Sequence, residues 1–391
     1  MAKTYDAIVI GGGIMGCCTA FELAQRGIRV AVLERDSVCT GSTGRSSAII
    51  RQHYSNELTA RMALYGLHVF EEFEARVGGE CGFVRTGFVA LVPGDDLAGL
   101  ESNIALQQKV GIDAQLLSPD ALREIMPGVD TSDVVAAAYE PGSGYADPHL
   151  TTSAYADAAR RLGAEIFQDA EVIDIRFVGG KVVGVCTPDE SFDAPVVVNC
   201  AGPWGAHVAR MAGVVAPIDA CRIQVAVFRR PEEYSAPHPV VLDFIHATYF
   251  RPETGNLSLV GLIDPKEADA VVNPDAYDAG IDDDFISHVG ERWLRRVPGL
   301  ELSTSVGGYA GLYGVTPDWH PIMDEVPEGS GCFICAGFSG HGFKLAPAVG
   351  LMAAEMITNE DSPEFPSQMF RLSRYAEQEA VHGQYEYSIT G

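Results

Sequence analysis

An apolar strand, a glycine-rich turn, a helix and a second strand follow one another within residues 5–34, and no other stretch constrains the fold as strongly. The turn carries the pattern G-x-G-x-x-G at Gly11, Gly13 and Gly16, and the second strand ends at the acidic Glu34. Such a strand–helix–strand unit predicts a dinucleotide-binding α/β domain. A glycine-rich turn without a ligand is the alternative, and the features in register favour the dinucleotide.

The residues of this turn are of the types that a pyrophosphate needs. Gly11 allows a tight turn out of the strand, Gly13 lets the phosphates approach the backbone, and Gly16 allows close packing of helix and strand. Ile14 and Met15 begin the helix, whose first N–H groups lack partners inside the helix and attract anions.

The carboxyl end of the second strand predicts the ribose contact. Glu34 stands where a carboxylate accepts hydrogen bonds from ribose hydroxyls, and Arg35 follows it at the same edge. The negative charge of Glu34 disfavours a 2′-phosphate. NADP is therefore the least expected dinucleotide.

Composition narrows the class of protein. The 391 residues are enough for two domains, and with 47% apolar and 20% charged residues they can bury a large interior. A net charge of −26 argues against a nucleic-acid partner. The nine cysteines show no disulfide spacing and no signal peptide precedes Tyr5, so we expect a cytoplasmic protein. No apolar run has the length of a membrane span.

The pair Cys332 and Cys335 has the spacing C-x-x-C within a strand-like run. Residues three apart in a strand face opposite sides of a sheet. We therefore predict two core residues rather than a disulfide or a metal site, and we predict no metal elsewhere.

Later segments return to the α/β sheet, which predicts a discontinuous domain. A buried strand from Pro195 ends at Gly202, and alternating runs at 221–229, 240–251, 256–262 and 303–313 predict an antiparallel sheet. We expect the last long helix to begin near Ala346. The fold class is therefore α/β in the nucleotide domain and α+β overall. The Rossmann-like nucleotide domain comprises residues 1–80, 146–216 and 316–370, the antiparallel-sheet substrate domain 81–145 and 217–315, and a C-terminal tail 371–391.

A loop rich in Gly, Ser and Thr leaves the ribose-binding strand. It is either a flexible surface loop or the lining of the middle of an elongated cofactor, and its exit point favours the second interpretation. Its cofactor-binding candidates are Ser42, Thr43, Arg45, Ser46, Ser47 and Ala48.

Four segments (11–34, 41–54, 195–205 and 316–350) together resemble the flavin-dependent amine and amino-acid oxidoreductases, which include sarcosine oxidase, dimethylglycine and sarcosine dehydrogenases, glycine oxidase and D-amino-acid dehydrogenases. The most specific match is Gly-Phe-Ser-Gly-His-Gly-Phe-Lys at 337–344 after a Thr-Pro-Asp, and Ile-Ile-Arg at 49–51 also resembles the sarcosine oxidase branch. The resemblance implies FAD rather than NAD. It adds as cofactor-binding candidates Val172, Ala201, Gly202, Trp204, Gly337, Gly340, His341, Gly342, Phe343 and Lys344.

Similarity to sarcosine oxidase implies that Arg51 and Lys344 bind the substrate carboxylate. Related enzymes often have a tyrosine near the substrate on the corresponding strand, which makes Tyr249 a candidate. His53 closely follows Arg51 and is a further candidate for the border of the same pocket. The alternatives are an arginine along the surface or paired with a carboxylate, and an ordinary half-exposed strand tyrosine. His341 could contact the flavin ring or merely cap the turn.

The chain departs from the sarcosine oxidase pattern at two positions. Gly311 replaces the cysteine that binds flavin covalently, so we predict non-covalent FAD. Ala48 replaces an arginine, which leaves the flavin environment and the substrate preference open. Lys266 either helps dioxygen to react or is a solvated surface lysine.

The predicted function is FAD-dependent oxidation of the C–N bond of a small or N-methylated amino acid, with oxygen or another electron acceptor. One alternative is a D-amino-acid or opine dehydrogenase that passes electrons to a quinone or a partner subunit. Another is a non-catalytic flavoprotein scaffold. A homo- or hetero-oligomer is possible.

Overall fold

The computed structural model describes residues 3–263, 271–360 and 364–381. Its helices are α1 (Ile14–Gln25), α2 (Glu57–Glu71), α3 (Phe73–Arg76), α4 (Leu97–Lys109), α5 (Pro119–Ile125), α6 (Pro148–Arg161), α7 (Gly205–Met211), α8 (Asp283–Arg296) and α9 (Gly342–Thr358). Its strands are β1 (Lys3–Thr4), β2 (Ala7–Ile10), β3 (Val30–Leu33), β4 (Ile49–Ile50), β5 (Val84–Arg85), β6 (Phe88–Leu91), β7 (Gln115–Leu117), β8 (Ala137–Glu140), β9 (Gly144–Tyr145), β10 (Glu165–Phe167), β11 (Asp174–Val178), β12 (Lys181–Cys186), β13 (Ser191–Asp193), β14 (Val197–Asn199), β15 (Asp219–Arg229), β16 (Val240–Asp243), β17 (Thr248–Glu253), β18 (Leu257–Leu262), β19 (Thr304–Val315), β20 (Ile322–Glu325) and β21 (Cys332–Ala336).

A six-stranded sheet in the order β10-β3-β2-β14-β21-β20 forms the centre of the nucleotide-binding part. All of its pairs are parallel except β20–β21 at one edge. The central strands are short runs of buried aliphatic residues, as expected when both faces of a parallel sheet are covered. The predicted α/β fold class is confirmed.

The late return of the chain to this sheet is visible in the strand pairing. β14 lies between β2 and β21, with Val197 opposite both Ile8 and Cys332. On one face of the sheet the core includes Val9, Val198 and Cys335. Cys332 lies in the core of the other face, so the two cysteines do face opposite sides, and both are free thiols.

An eight-stranded sheet in the order β19-β15-β18-β17-β16-β6-β8-β7 forms the second layer system. Its pairs are antiparallel as predicted, except that β16 and β6 run parallel. The run at 240–251, predicted as one strand, is a hairpin of β16 and β17. Asp243 ends β16 and its Oδ1 accepts from the N–H groups of Ile245 and His246, which forms the turn.

A small sheet in the order β4-β9-β5 ties the segment before Arg51 to the 81–145 region. Ile49 and Val84 both lie opposite Tyr145. This pairing fixes the backbone that leads into Arg51. The boundaries of the two domains remain a prediction, and Lys266 lies outside the described residues.

The segment after residue 371, predicted as a tail, is packed against the nucleotide-binding part as far as residue 381. Arg374 is fully buried and donates from Nε to Asp318 Oδ2 at 2.8 Å. Asp318 also accepts from the N–H of Val381 at 3.0 Å. These contacts hold the end of the described chain on the Thr-Pro-Asp turn.

Candidate active site

The glycines of the first turn have the contacts that dinucleotide binding requires. Gly11 has φ +108°, and a Cβ there would lie 2.6 Å from the carbonyl oxygen of Cys200. A Cβ on Gly16 would collide with the carbonyl oxygen of Gly11, so only glycine lets α1 pack this closely on β2. Gly13 is the N-cap of α1 and supplies no side-chain cap, while the N–H of Ile14 donates to the hydroxyl of Thr43 at 3.2 Å. The positive end of the helix dipole at this N-terminus favours an anion.

Glu34 lies at the carboxyl end of β3, where the sequence predicts the ribose contact. Its two carboxylate oxygens accept from the N–H groups of Gly12 at 2.6 Å and Asp36 at 2.9 Å, which fixes its orientation. Arg35 stacks on the ring of Trp204 at 4.3 Å, and both side chains bond to Asp275. The sequence gives no signal for Asp275 in this group. Val172 is buried in the apolar core on the face of the six-stranded sheet that also contains Cys332.

A long cavity runs from the start of α1 to the start of α9. The two ends of the chain therefore form one cavity, as the sequence predicts. The cofactor-binding candidates that line it are Ile14, Met15, Ser42, Thr43, Arg45, Ser46, Ser47, Gly202, Gly337, Gly340, Gly342 and Phe343. Gly11, Gly13, Gly16, Glu34, Arg35, Val172, Ala201 and Trp204 lie outside this lining.

Close packing around the long cavity explains its later glycines. Gly340 has φ +85°, and a Cβ there would collide with the ring of Tyr313. A Cβ on Gly342 would lie 2.6 Å from the methyl group of Met15, which joins the two helix N-termini. Gly311 also lines the cavity, beside Arg45. No cysteine occurs among the lining residues that the structure describes. Non-covalent attachment of the cofactor remains a prediction.

An inner cavity adjoins the long cavity and shares with it Ser46, Ser47, Tyr249 and Phe343. Ala48, Arg51, His341 and Lys344 also line it. The predicted substrate residues from opposite ends of the chain thus meet beside the predicted flavin position.

Arg51 and Lys344 are the cations of the inner cavity, and both are buried, with 4% and 6% exposure. Arg51 lies over the ring of Tyr54 at 4.5 Å and donates from Nη1 to the carbonyl oxygen of His53. Lys344 donates from Nζ to the carbonyl oxygen of His341 at 3.3 Å. Burial, and then the charge of Arg51, lower the pKa of Lys344 well below its usual value. An anionic ligand would stabilise the cationic lysine.

α9 begins at Gly342, four residues before the predicted start. Lys344 therefore lies in the first turn of a buried helix rather than in a loop. His341 precedes the helix and accepts at Nδ1 from the hydroxyl of Tyr54 at 3.3 Å, while Nε2 donates to the carbonyl oxygen of Trp319 at 2.7 Å. Burial, followed by the charge of Lys344, lowers the pKa of His341 well below its usual value, so its ring is neutral.

Tyr249 lies at the junction of the two cavities. Its hydroxyl is 2.8 Å from the hydroxyl of Ser47, so the floor strand and the loop meet there. Arg251 on the same strand face is instead paired with Glu253 at 2.9 Å and lies over Tyr145.

His53 does not line the inner cavity. Its ring is buried behind Arg51, with Nδ1 3.7 Å from Glu140 and Nε2 3.1 Å from the side-chain amide of Asn103. The carbonyl oxygen of His53 accepts from Nη1 of Arg51. This placement gives His53 a supporting position rather than a substrate contact.

The sequence reasoning missed most of the apolar wall of the inner cavity. Trp319 follows the Thr-Pro-Asp turn in a left-handed conformation, φ +61°, and only its neighbourhood to that motif could have indicated a role. The other missed lining residues are Ile49, Ile223, Leu242, Leu262, Ile263, Tyr313 and Ser339.

The family model described as "DAO: FAD dependent oxidoreductase" matches residues 6–356. The chain belongs to this family. It is 30% identical to human mitochondrial sarcosine dehydrogenase over 91% of the chain but only 40% of that protein, and 30% identical to human peroxisomal sarcosine oxidase over 95% of the chain and 96% of that protein. Among solved structures, L-proline dehydrogenase from P. horikoshii has a TM-score of 0.90 at 29% identity, covering 97% and 100% of the two chains.

Membership in the DAO family confirms FAD as the predicted cofactor. The long cavity fits FAD for two reasons. The helices α1 and α9 begin there and their N-cap residues supply no side-chain cap, and its glycines allow a ligand to approach the backbone closely. Within residues 3–263, 271–360 and 364–381, no helix combines the length and apolar character that a membrane crossing requires. The cytoplasmic location and the possible oligomer remain predictions.

Proposed function

We propose that the chain oxidises the C–N bond of a small amino acid, with Arg51 and Lys344 holding the substrate carboxylate. The observation that carries this proposal is the meeting of these two buried cations in the cavity beside the FAD site. The product is an imine, which water hydrolyses to an aldehyde or keto acid plus an amine. FAD, when bound, supplies the two-electron acceptor for this reaction.

The charges of the inner cavity support an anionic substrate. Its described lining contains Arg51 and Lys344 and neither aspartate nor glutamate. A charge-assisted hydrogen bond to a carboxylate stabilises binding by about 1.5–3 kcal/mol. A carboxylate between the two cations also relieves their mutual repulsion, so the site favours an amino acid over a simple amine.

The same cations favour the reactive form of the substrate amine. Only a neutral amine has the lone pair that assists loss of electrons from the adjacent carbon. Nearby positive charge disfavours an ammonium group, so Arg51 and Lys344 would lower the pKa of the bound amine. The hydroxyls of Tyr249 and Ser47, at the junction with the long cavity, are polar groups that can orient it.

The rest of the wall favours a compact aliphatic substrate. Ile223, Leu242 and Leu262 line the inner cavity together with the ring of Trp319. The three relatives described above are named for sarcosine and L-proline, which are secondary amines beside a carboxylate. We extend this class to the chain, and N-methyl amino acids and L-proline lead the substrates to be tested.

Anaerobic reduction of the bound flavin tests the reaction. The FAD-loaded protein is mixed with sarcosine, N-methyl-L-alanine, L-proline, glycine or D-alanine, and loss of flavin absorbance is followed. We expect bleaching by secondary amino acids and none by methylamine, which lacks the carboxylate. Bleaching by D-alanine alone would support a D-amino-acid dehydrogenase, and no bleaching by any of them would support a scaffold. Admission of air then shows whether oxygen is the acceptor.

Substitution of the two cations tests the site. We expect Arg51→Ala and Lys344→Ala each to lower kcat/KM by about 10- to 100-fold, since each removes one charge-assisted bond, with FAD content unchanged. Arg61→Ala and Lys109→Ala are matched controls, because their side chains form exposed ion pairs with Glu364 and Glu57. Unchanged kcat/KM in both site variants would remove the proposed carboxylate site.

A further inference from the structure

A third cavity, the back cavity, lies behind the eight-stranded sheet and has a volume of about 410 Å³. Successive side chains of a strand face opposite sides of a sheet, so Tyr249 lines the inner cavity while Phe250 lines the back cavity. The volume lies within the range of small-molecule sites, roughly 300–1,000 Å³. Nothing in the proposed reaction uses this space.

The back cavity has a buried cation in its wall. Arg230 is 5% exposed, and its Nη1 donates to the carbonyl oxygens of Tyr234 at 2.5 Å and Ala236 at 2.7 Å. Its Nε is buried without a hydrogen-bond partner. No carboxylate of the described chain lies within ion-pair distance of Arg230, although Glu233 stands exposed at the edge of the same cavity.

A buried guanidinium with only carbonyl partners is electrostatically incomplete. Removing a charged group from water is unfavourable unless an opposite charge or a full set of hydrogen bonds replaces the water. Burial accordingly lowers the pKa of Arg230. Because arginine stays protonated in proteins, an anion brought into the back cavity would restore the missing interaction.

The remaining wall indicates the other half of the ligand. Phe250, Trp293 and Leu300 supply flat and aliphatic surface, and the Nε1–H of Trp293 is a second buried donor without a partner. His238 is neutral, because burial lowers its pKa to about 4, and its Nε2 faces the hydroxyl of Ser258 at 3.2 Å. The wall therefore combines one cation with a mostly apolar surface.

We propose that the back cavity binds an organic carboxylate with an apolar, flat body, with Arg230 at the carboxylate and the aromatic side chains against the body. This site is separate from the one that holds the oxidised amino acid. It is open to a small molecule of that chemistry whether or not the proposed oxidation is correct.

Calorimetric titration of the FAD-loaded protein with 3-phenylpropionate tests the proposal, with flavin absorbance recorded in parallel. We expect a binding event that leaves the flavin spectrum unchanged, since a carboxylate bound beside Arg51 and Lys344 would perturb that spectrum. Arg230→Met should weaken this event by about 10- to 100-fold. Arg229→Met is the matched control, because the neighbouring Arg229 is exposed and its side chain donates to the exposed turn, at the carbonyl oxygen of Gly255.

A second variant keeps the test valid if Arg230→Met fails to fold. Ala236 is exposed at the mouth of the back cavity, so Ala236→Trp should block entry without disturbing the core, and it should abolish the event. The uncharged 3-phenylpropanamide should bind at least about 10-fold more weakly. The proposal would be overturned if the wild-type protein showed no binding event that leaves the flavin spectrum unchanged. It would also be overturned if Arg230→Met and Ala236→Trp bound 3-phenylpropionate as tightly as the wild-type protein does.

Discussion

At the scale of single residues, the charge of Lys344 depends strongly on its surroundings. It is buried in the first turn of α9, where the helix dipole and the charge of Arg51 both disfavour the ammonium form. A lysine placed only for stability would not be buried at this end of a helix. Its position is consistent with a group that receives an anion.

The lowered pKa of Lys344 makes carboxylate binding dependent on pH. A carboxylate binds the cationic lysine best, so affinity should be highest below the pKa of the folded lysine and should fall as the pH rises through it, at a pH below the usual lysine value of 10.5. The dissociation constant of propionate, measured between pH 6 and 10 by flavin difference spectra, checks this. In Lys344→Met the affinity should be lower and independent of pH; a retained slope would assign the titration to another group.

Residue types in a motif were predictable, whereas the direction of a loop side chain was not. Arg51 and Lys344 both line the inner cavity. This placement is predictable because each residue stands in a segment that resembles a known motif. His53, two residues after Arg51, turns instead toward Glu140 and Asn103. That choice depends on partners in distant elements, and no local pattern encodes it. Trp319 was missed for the same reason.

At the scale of elements, a buried polar network holds the segment that carries Arg51. Glu140, at the end of β8, accepts from the N–H of Gln52 at 2.8 Å, from the hydroxyl of Ser143 at 2.7 Å and from Gln107 on α4 at 2.9 Å. Gln107 also donates to the carbonyl oxygen of Gln52 at 2.9 Å. Burial would raise the pKa of Glu140, but the nearby His53 ring and the hydrogen bonds from Gln52 and Ser143 lower it, so it is ionised. β8 and α4 thereby position Arg51.

Glu140→Gln should therefore impair substrate binding from outside the cavity. The new amide NH₂ replaces an acceptor and faces donors, which costs about 1–3 kcal/mol and displaces the 51–53 segment. We expect KM to rise about tenfold with a smaller change in kcat. Gln108→Ala on α4 is the control, since Gln108 bonds to Ala114 and not to this network. A lower melting temperature with unchanged KM would show that Glu140 is only structural.

Element types were predictable from periodicity, and their ends and pairings were less so. The start of α9 at Gly342 lies four residues before the predicted start, because the glycine-rich segment ahead of it offers no typical capping residue and its N-cap His341 makes no side-chain cap. The turn between β16 and β17 was hidden because His246 and Ala247 lie within an apolar run. Asp243, whose carboxylate forms the turn, was its sequence signal.

At the scale of the whole molecule, the end of the described chain packs against the nucleotide-binding part. Arg374 donates to both carboxylate oxygens of Asp318 and to the carbonyl oxygen of His320. Burial would raise the pKa of Asp318, but the hydrogen bonds from Arg374 and Val381 hold it well below its usual value. The discontinuous fold was predictable from the returning strand segments, whereas this packing was not, since an arginine in a polar stretch usually stays in solvent.

Loss of the Asp318–Arg374 pair should destabilise the protein strongly. Arg374→Ala leaves a buried carboxylate without its cation, which costs about 3–5 kcal/mol, and the melting temperature should fall. Because the pKa of Asp318 is lowered on folding, its contribution is present above about pH 4 and is lost as the pH falls below that value. Arg371→Ala is the control, since its partners Glu377 and Glu379 are exposed and exposed ion pairs contribute little to stability. Equal melting temperatures of Arg374→Ala and Arg371→Ala would contradict this account.

The residues that line the long cavity are widely separated along the chain, and this has a consequence for synthesis of the protein. The lining of the long cavity comes from the start of α1 at Ile14 and Met15, from Gly202 and from the turn at 337–342. Arg374 holds the neighbouring Thr-Pro-Asp turn through Asp318. A nascent polypeptide that has emerged only as far as residue 300 lacks the turn at 337–342 and Arg374. Yellow colour should therefore arise only after translation has nearly finished, and any prematurely terminated product should emerge colourless.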